Sequence, residues 1–302
     1  TTNFNAAVGS GVTAKAYVGI LSAYKLYGDG SGLTNVAASW SEDAQNNLIA
    51  GTNAGKCLSG DDDYNIILGY QAGCKIGAAS ENDDRNVFLG FYAGRAACGS
   101  DDNVFIGAYA GCGGNGTVNE QNVFIGKAAG ASNCAGCNNV QLGTRAGSIR
   151  TTGNDNISIG QCAGQCGAGG SNIAIGQRAG RGEGTDNTCT SNCNIFLGYY
   201  AGRCISSGDN NIAFGKHSGQ DITTASENIF IGSEAGTDLT TGDCNIFIGK
   251  QAGKDATFTG KRNIFIGDYT GQQVCDAGMK ETIMIGPGAG QHAGGDDNLF
   301  IG

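Results

Sequence analysis

Side chains suited to acid–base catalysis are few in this chain and lie far apart. Its 302 residues include two histidines, His217 and His292. About four copies of a recurring motif separate them, and stacked strands rise about 4.8 Å per copy. The two imidazoles therefore cannot meet within one chain. We expect no catalytic site, no enzyme activity and no cofactor.

Potential metal ligands are present, but their spacing argues against a metal site. Runs of aspartates could offer Ca²⁺ the carboxylate oxygens that it prefers, yet they lack the Gly-Gly-x-Gly-x-Asp pattern of calcium-binding solenoids. They are Asp61, Asp62, Asp63, Asp101, Asp102, Asp296 and Asp297, and we interpret them as solvated turns. Cys134-Ala-Gly-Cys137 has zinc-ligand spacing, but no second pair accompanies it.

The 13 cysteines leave two interpretations open. Neighbouring coils of a solenoid place equivalent Cα atoms within disulfide range, so a bridge such as Cys57 to Cys74 is geometrically possible. Alternatively, the thiols are free and act as small side chains, which suits assembly in a reducing cytoplasm. We favour free thiols.

These residues are positioned by a repeat that occurs fifteen times: an asparagine, three residues typical of a strand, and a glycine. One copy is Asn103-Val104-Phe105-Ile106-Gly107, which continues into Ala108-Tyr109-Ala110-Gly111. Fourteen steps cover the 251 residues from Gly51 to Gly302, about 18 residues per step. This period predicts an all-β, parallel β-solenoid of about 15 coils with glycines at the turns. We divide the chain into an N-terminal short-strand segment and linker, residues 1–45, and the solenoid, residues 46–302.

The strand residues fall on two faces, and positions are numbered here from the closing glycine as position 0. Positions −3 and −1 are mostly aliphatic and share one face, which we predict to be the interior of the coil. The predicted core and ladder include the asparagine at position −4; typical members are Asn103, Val104, Ile106, Gly107, Asn122, Val123, Ile125, Asn245, Ile246 and Ile248. The asparagines either bond between coils as an amide ladder, which we favour, or cap their own turns.

Position −2 lies on the opposite face of the strand and is predicted to point out of the coil. Phenylalanine occupies it in eight of the fifteen copies. A column of exposed rings exceeds the apolar patch that soluble monomers tolerate, so the return segment or another subunit must cover it. We favour another subunit and predict an oligomer interface at Phe88, Phe105, Phe124, Phe196, Phe230, Phe247, Phe265 and Phe300, interrupted at Gln141, Ser158, Ala174 and Ala213.

The repeats resemble those of known fibrous proteins. Asn-Ile-Phe-Ile-Gly-Lys-Gln-Ala-Gly at 245–253 and Asn-Ile-Ala-Ile-Gly-Gln-Arg-Ala-Gly at 172–180 resemble head repeats of trimeric autotransporter adhesins. Corners followed by Cys57 and Cys204, and the segment 28–35, are more similar to tail-fibre-like proteins of marine phages, especially cyanophages. The resemblance implies a left-handed β-roll, a homotrimer and a tail or fibre role on the virion. Its implied partners are other virion proteins and a host cell-surface glycan or protein.

Two alternatives remain open. The chain could be a bacterial extracellular surface protein, either an adhesin head or a filament subunit that polymerises end to end. More remotely, the string Ile-Gly-x-x-Ala-Gly is similar to repeats of left-handed β-helix acyltransferases. Those proteins have three hexapeptides per coil, whereas this chain has one.

Charge and hydropathy argue against two classes of partner. The net charge of −9 repels phosphate backbones, so we expect no nucleic acid binding. No apolar run approaches the roughly 18 residues that span a membrane, so we expect no membrane insertion. The chain opens on Thr1 rather than Met, which we interpret as processing or as a segment of a longer protein.

Aromatic residues at positions +1 and +2, just after the closing glycine, are candidates for surface binding. They could stack on sugar rings of a host glycan, or they could be scattered exposed aromatics without a ligand. The seven candidates are Tyr70, Phe91, Tyr92, Tyr109, Tyr199, Tyr200 and Tyr269.

Overall fold

The computed structural model describes residues 43–77, 82–97, 99–113, 120–132, 135–149, 152–165, 168–182, 189–254, 259–274 and 278–302. The predicted N-terminal segment, residues 1–45, lies outside these ranges except for its last three residues. Within the described ranges the regular elements are short strands, without a helix. The described residues accordingly hold no helix long and apolar enough to cross a membrane.

Fifteen strands form one parallel sheet in the order of the chain. They are β1 (Leu48–Ala50), β2 (Ile66–Leu68), β3 (Val87–Leu89), β4 (Val104–Ile106), β5 (Val123–Ile125), β6 (Val140–Leu142), β7 (Ile157–Ile159), β8 (Ile173–Ile175), β9 (Ile195–Leu197), β10 (Ile212–Phe214), β11 (Ile229–Ile231), β12 (Ile246–Ile248), β13 (Ile264–Ile266), β14 (Ile283–Ile285) and β15 (Leu299–Ile301). Equivalent repeat positions pair in register, so that Phe105 of β4 lies opposite Phe124 of β5. The prediction of an all-β, parallel β-solenoid is confirmed.

The two faces of the strands are the reverse of the prediction. Phe105 at position −2 exposes 1% of its surface, whereas Val104 and Ile106 on either side of it are half-buried. The phenylalanines predicted at an oligomer interface, Phe88, Phe105, Phe124, Phe196, Phe230, Phe247 and Phe265, are buried inside the coil, and Phe300 packs partly buried against the same core. The aliphatic residues predicted as core, Val104, Ile106, Val123, Ile125, Ile246 and Ile248, face outward.

Two glycines explain why the coil closes over the phenylalanine side. A Cβ on Gly111, at position +4, would lie 2.5 Å from the Phe105 ring, so the ring packs directly on the corner backbone. Gly111 also has a φ of +56°, which favours glycine. At position 0, a Cβ on Gly107 would lie 2.6 Å from the carbonyl oxygen of Gly126 in the next coil. Only glycine allows both approaches.

The buried asparagines form the amide ladder and also cap their own turns. Asn122 Nδ2 donates to Asn103 Oδ1 of the preceding coil at 3.2 Å, and the Asn122 backbone N–H donates to the same oxygen at 3.0 Å. Asn103 Nδ2 in turn donates to the Asp101 carbonyl of its own turn at 3.0 Å. Where Thr282 replaces asparagine, its hydroxyl accepts the N–H of Asn298 at 3.3 Å. The predicted ladder is therefore confirmed, and the two alternatives occur together.

Phenylalanine rings stack along the interior, and two polar residues interrupt them. Ring centroids are 5.0 Å apart between Phe88 and Phe105, and 4.8 Å apart between Phe105 and Phe124. The next two positions of the column hold Gln141 and Ser158, which are fully buried and whose side-chain polar atoms have no hydrogen-bond partner. The apolar core is divided into two clusters, one on each side of these residues.

Residues in the left-handed conformation flank the strands. Thirty non-glycine residues of the described ranges have positive φ, nearly all at positions −5 and +2. Asp102, with φ of 59°, and Tyr109, with φ of 63°, flank β4 in this way. The Tyr109 N–H donates to the Phe91 carbonyl of the preceding coil at 2.9 Å. Such bonds between coils hold a conformation that costs an L residue about 1–2 kcal/mol.

Candidate interaction surfaces

The outward face of the sheet is a continuous apolar surface, here called the outer aliphatic face. It consists of positions −3 and −1 of the fifteen strands, from Leu48 and Ala50 in β1 to Leu299 and Ile301 in β15. No polar or charged side chain occupies these positions. Its members are half-buried or exposed, and the exposed ones include Ile125 by 39%, Ile231 by 37% and Phe214 by 56% of their surface.

The outer aliphatic face is larger than the apolar patch that soluble monomers usually expose. Parallel strands lie about 4.8 Å apart and alternate residues about 7 Å apart, so two columns on fifteen strands cover a strip of roughly 67 by 10 Å with their side chains. The resulting area of about 700 Å² exceeds the few hundred Å² usually tolerated and is typical of a protein interaction site. Sequence reasoning placed the exposed apolar column at position −2, whereas the exposed columns are positions −3 and −1.

Four of the seven candidate binding aromatics form one cluster at the corner of three consecutive coils. This first aromatic cluster consists of Tyr70, Phe91, Tyr92 and Tyr109. The Tyr70 and Phe91 rings stack with centroids 5.5 Å apart, and Tyr92 packs edge-on against Phe91 at 4.1 Å. Tyr109 meets Phe91 edge-on at 5.3 Å. Tyr70, Phe91 and Tyr109 keep between 40% and 43% of their surface exposed, so the cluster reaches solvent.

The second aromatic cluster consists of Tyr199, Tyr200 and His217, with two arginines beside it. The Tyr199 and Tyr200 centroids are 4.3 Å apart, and His217 stacks on Tyr200 at 5.4 Å. The guanidinium carbons of Arg178 and Arg203 lie 5.2 and 5.4 Å from the Tyr200 ring centroid. Arg178 also donates to the Tyr200 hydroxyl. A hydrogen bond with Tyr200 raises the pKa of the Tyr199 hydroxyl.

The seventh candidate, Tyr269, lies apart from both clusters. Its ring centroid is 5.3 Å from Lys250 Nζ, and the hydrogen bond between the two side chains raises the pKa of Lys250. The structure thus brings six of the seven predicted aromatics into two clusters. The seventh makes an isolated contact with a cation.

The acid–base residues do not converge. His217 belongs to the second aromatic cluster, where its Nδ1 hydrogen-bonds to Gln220 Oε1, and His292 lies in the turn after β14. In the part of the chain that the structure describes, no group of three or more His, Cys, Asp and Glu side chains could hold a metal ion. Cys57 and Cys74, considered above as a disulfide pair, are free thiols. Cys134, of the candidate zinc pair, lies outside the described residues.

Two aspartates in the turns before β2 and β3 are buried. Asp62, predicted to be solvated, accepts the Asp83 N–H through Oδ1 at 2.9 Å. The Asp83 carboxylate accepts the N–H groups of Ser100 at 2.5 Å and Gly77 at 2.6 Å. Burial raises the pKa of Asp83 to about 6, and the nearby carboxylates of Asp62 and Asp101 add to the rise, while the two backbone bonds oppose it. These turns therefore contain a pH-sensitive group.

Comparisons with protein-family models, curated proteins and solved structures return no match. The interpretation of the surfaces rests on their geometry and on the resemblance of the repeats.

Proposed function

We propose that the chain is a non-enzymatic subunit of a homotrimeric phage tail fibre or adhesin that helps attachment to a host cell. The proposal rests on the outer aliphatic face, because no polar side chain occupies positions −3 and −1 of its fifteen strands. Fully burying an aliphatic side chain contributes about 1.5–3 kcal/mol. Covering even part of two such columns therefore favours association strongly.

A second copy of the same chain is the partner that matches this face best. Two copies repeat with the same rise per coil, so their side chains can interdigitate along the whole sheet. The face offers a charged partner no complementary group. Self-association usually gives closed symmetric assemblies. Around a threefold axis, position −3 of each chain faces one neighbour and position −1 faces the other, which covers both columns at once.

The resemblance to phage fibre and autotransporter repeats supplies the number of subunits, the left-handed winding and the location on a virion. In this assembly the aromatic clusters at positions +1 and +2 lie outside the two buried columns and are the candidate contacts to a host glycan or protein. Other virion proteins are the proposed partners along the fibre. A bacterial surface adhesin would use the same face, whereas a filament subunit that polymerises end to end would associate through the ends of its stack and give a larger assembly.

The mass of the purified chain tests the trimer. Sedimentation equilibrium should give three times the chain mass of 30.5 kDa, about 92 kDa. Ile125→Glu, which places a charge on the outer aliphatic face, should shift the mass toward monomer. Thr144→Glu, which introduces the same negative charge at an exposed corner, is the matched control and should stay trimeric. A wild-type monomer would contradict the proposal, and long polymers would favour the filament.

Attachment is tested separately with labelled protein. If the phage resemblance holds, labelled trimer should bind to marine cyanobacterial cells and unlabelled trimer should compete with it. Equal retention of an unrelated acidic protein of similar mass would argue against an attachment role.

A further inference from the structure

We propose that the first aromatic cluster, together with the cations beside it, binds an anionic polysaccharide whose sugar rings carry carboxylate or sulfate groups. The inference rests on the proposed attachment role and names the class of glycan that the chain recognises. Three features support it: the spacing of the rings, the local charge and the difference from the second aromatic cluster.

The rings form an aromatic platform across three consecutive coils. Tyr70, Phe91 and Tyr109 come from three consecutive coils, and neighbouring centroids are 5.5 and 5.3 Å apart. Adjacent coils lie about 4.8 Å apart, so the three rings form a continuous aromatic surface along the stack. Tyr70 and Phe91 stack with their planes 12° apart and Tyr109 meets Phe91 edge-on, so a sugar chain that runs along the stack meets the ring edges and packs its apolar C–H groups against them. The Gln71 amide donates to the Tyr70 hydroxyl at 3.2 Å and helps to hold that ring.

The charge beside this platform is opposite to the net charge of the chain. Exposed Arg95 lies with its guanidinium carbon 5.0 Å from the Tyr92 centroid, and no carboxylate of the described residues pairs with it. Cys74 lies next to it, with Sγ 3.6 Å from the Arg95 carbonyl. Burial raises the pKa of the Cys74 thiol, and the nearby cations Arg95, Lys75 and Lys56 oppose the rise. An exposed guanidinium can bind a carboxylate or a sulfate with two parallel hydrogen bonds.

The second aromatic cluster has a different charge pattern: its arginines, Arg178 and Arg203, are half-buried against Tyr200, whereas Arg95 is exposed. Its histidine, His217, lies within electrostatic reach of Glu234, which also pairs with Lys254 at 2.5 Å. Gln220, the hydrogen-bond partner of that histidine, donates to Asp221 at 3.1 Å. Carboxylates beside the rings repel an anionic ligand. The two clusters therefore differ in whether an exposed guanidinium or a carboxylate lies beside the rings.

Biolayer interferometry on the immobilised full chain tests the proposal with four defined polymers. The probes are alginate, which carries carboxylates, dextran sulfate, neutral dextran of similar length, and a 20-residue oligothymidylate. Wild-type protein should bind alginate or dextran sulfate. Raising the salt from about 0.05 to about 0.5 M should weaken that binding at least tenfold, because salt screens exposed charges. Neutral dextran should bind at least tenfold more weakly.

Matched variants locate the site. The double variant Phe91→Ser, Tyr109→Ser should lose at least tenfold in affinity for the anionic polymer. Arg95→Gln should lose about fivefold, and Arg95→Lys should retain part of the binding. Tyr199→Ser is the control, because Tyr199 occupies the same repeat position as Phe91 and is exposed by 42% compared with 43%. It should stay within twofold of the wild type.

Several outcomes would overturn the inference, and one would contradict only the trimer. The inference is overturned if neither anionic polymer binds, if neutral dextran binds equally, if oligothymidylate is preferred, or if Tyr199→Ser loses as much as the double variant. It is also overturned if the double variant changes the mass of the assembly, since the rings would then contact another copy. A wild-type monomer that still binds alginate through these residues would contradict the trimer and leave the glycan site standing.

Discussion

Raising the pH from about 4 to about 8 should weaken the turns that precede β2 and β3. The Asp83 carboxyl has a pKa of about 6 in the folded chain, compared with 3.8 for an unburied carboxyl, because burial disfavours its charged form. Between these two values the folded state keeps a proton that the unfolded state releases. The free energy of unfolding therefore falls as the pH rises from about 4 to about 6, and it levels off above about 7.

The size of this effect follows from the two pKa values. A difference of about 2 pK units corresponds to about 3 kcal/mol at 1.36 kcal/mol per unit. Asp83→Asn keeps an oxygen that can accept the Ser100 N–H and removes the titrating group. The variant should therefore lose the pH dependence, whatever its absolute stability.

Amide hydrogen exchange of peptides from residues 82–97, corrected for the intrinsic exchange rate, measures the local free energy. Wild-type protection should fall by about two orders of magnitude between pH 4 and pH 8, at a factor of ten per 1.36 kcal/mol. Asp102→Asn, which alters the carboxylate 2.6 Å from Arg85 Nε, is the control and should retain the fall. Level or rising protection in the wild type, or an equal fall in Asp83→Asn, would refute the reasoning.

Three further predictions concern the interior and the turns, each read out by urea denaturation. In the Ile125→Glu background, which is expected to be monomeric, Phe105→Ala should cost about 3–5 kcal/mol because the ring is buried, whereas Val104→Ala on the outward face should cost much less; equal losses would contradict the assignment of the faces. Ala128→Gly should stabilise by about 0.5–1 kcal/mol, because Ala128 has a φ of 56°, and a loss of stability would show that its methyl group packs. Gln141→Leu should stabilise by about 1–3 kcal/mol by removing a buried unpaired amide; destabilisation would mean that the amide has a partner.

The positions of the strands and their stacking could be predicted from the sequence because one motif marks every coil. The asparagine fixes the register through its bonds to the next coil, and the closing glycine fixes the approach of the two backbones. Both signals are chemical and local, so fifteen copies identify fifteen strands. The variable return segments carry no such motif.

The choice of the inner face could not be made from hydrophobicity, because both faces of the strand are apolar. A different signal was present in the same repeat. Asn103 at position −4 and Phe105 at position −2 have the same parity, so they share a face, and a ladder of bonded amides belongs in the interior. The small Ala110 and Gly111 of the corner leave the space that the Phe105 ring fills.

Two other features of the turns were beyond sequence reasoning. Left-handed conformations occur at Arg85 and Tyr109, residue types that seldom adopt them, because bonds between coils impose the geometry. Asp62 and Asp83 are 21 residues apart and meet only because the coils stack. Their burial follows from that stacking rather than from the local acidic sequence.

The most direct test of the account is whether the outer aliphatic face touches another chain. Phe214 already places an exposed ring in this face, so its replacement by the photocrosslinking residue p-benzoylphenylalanine is conservative, and the same replacement of exposed Tyr199 at the corner is the control. Irradiation of the Phe214 variant should give crosslinked species up to three times the chain mass, and the Tyr199 variant should give little. Crosslinking that is absent at Phe214, or equal at the two positions, would contradict the proposal that this face holds the subunits together.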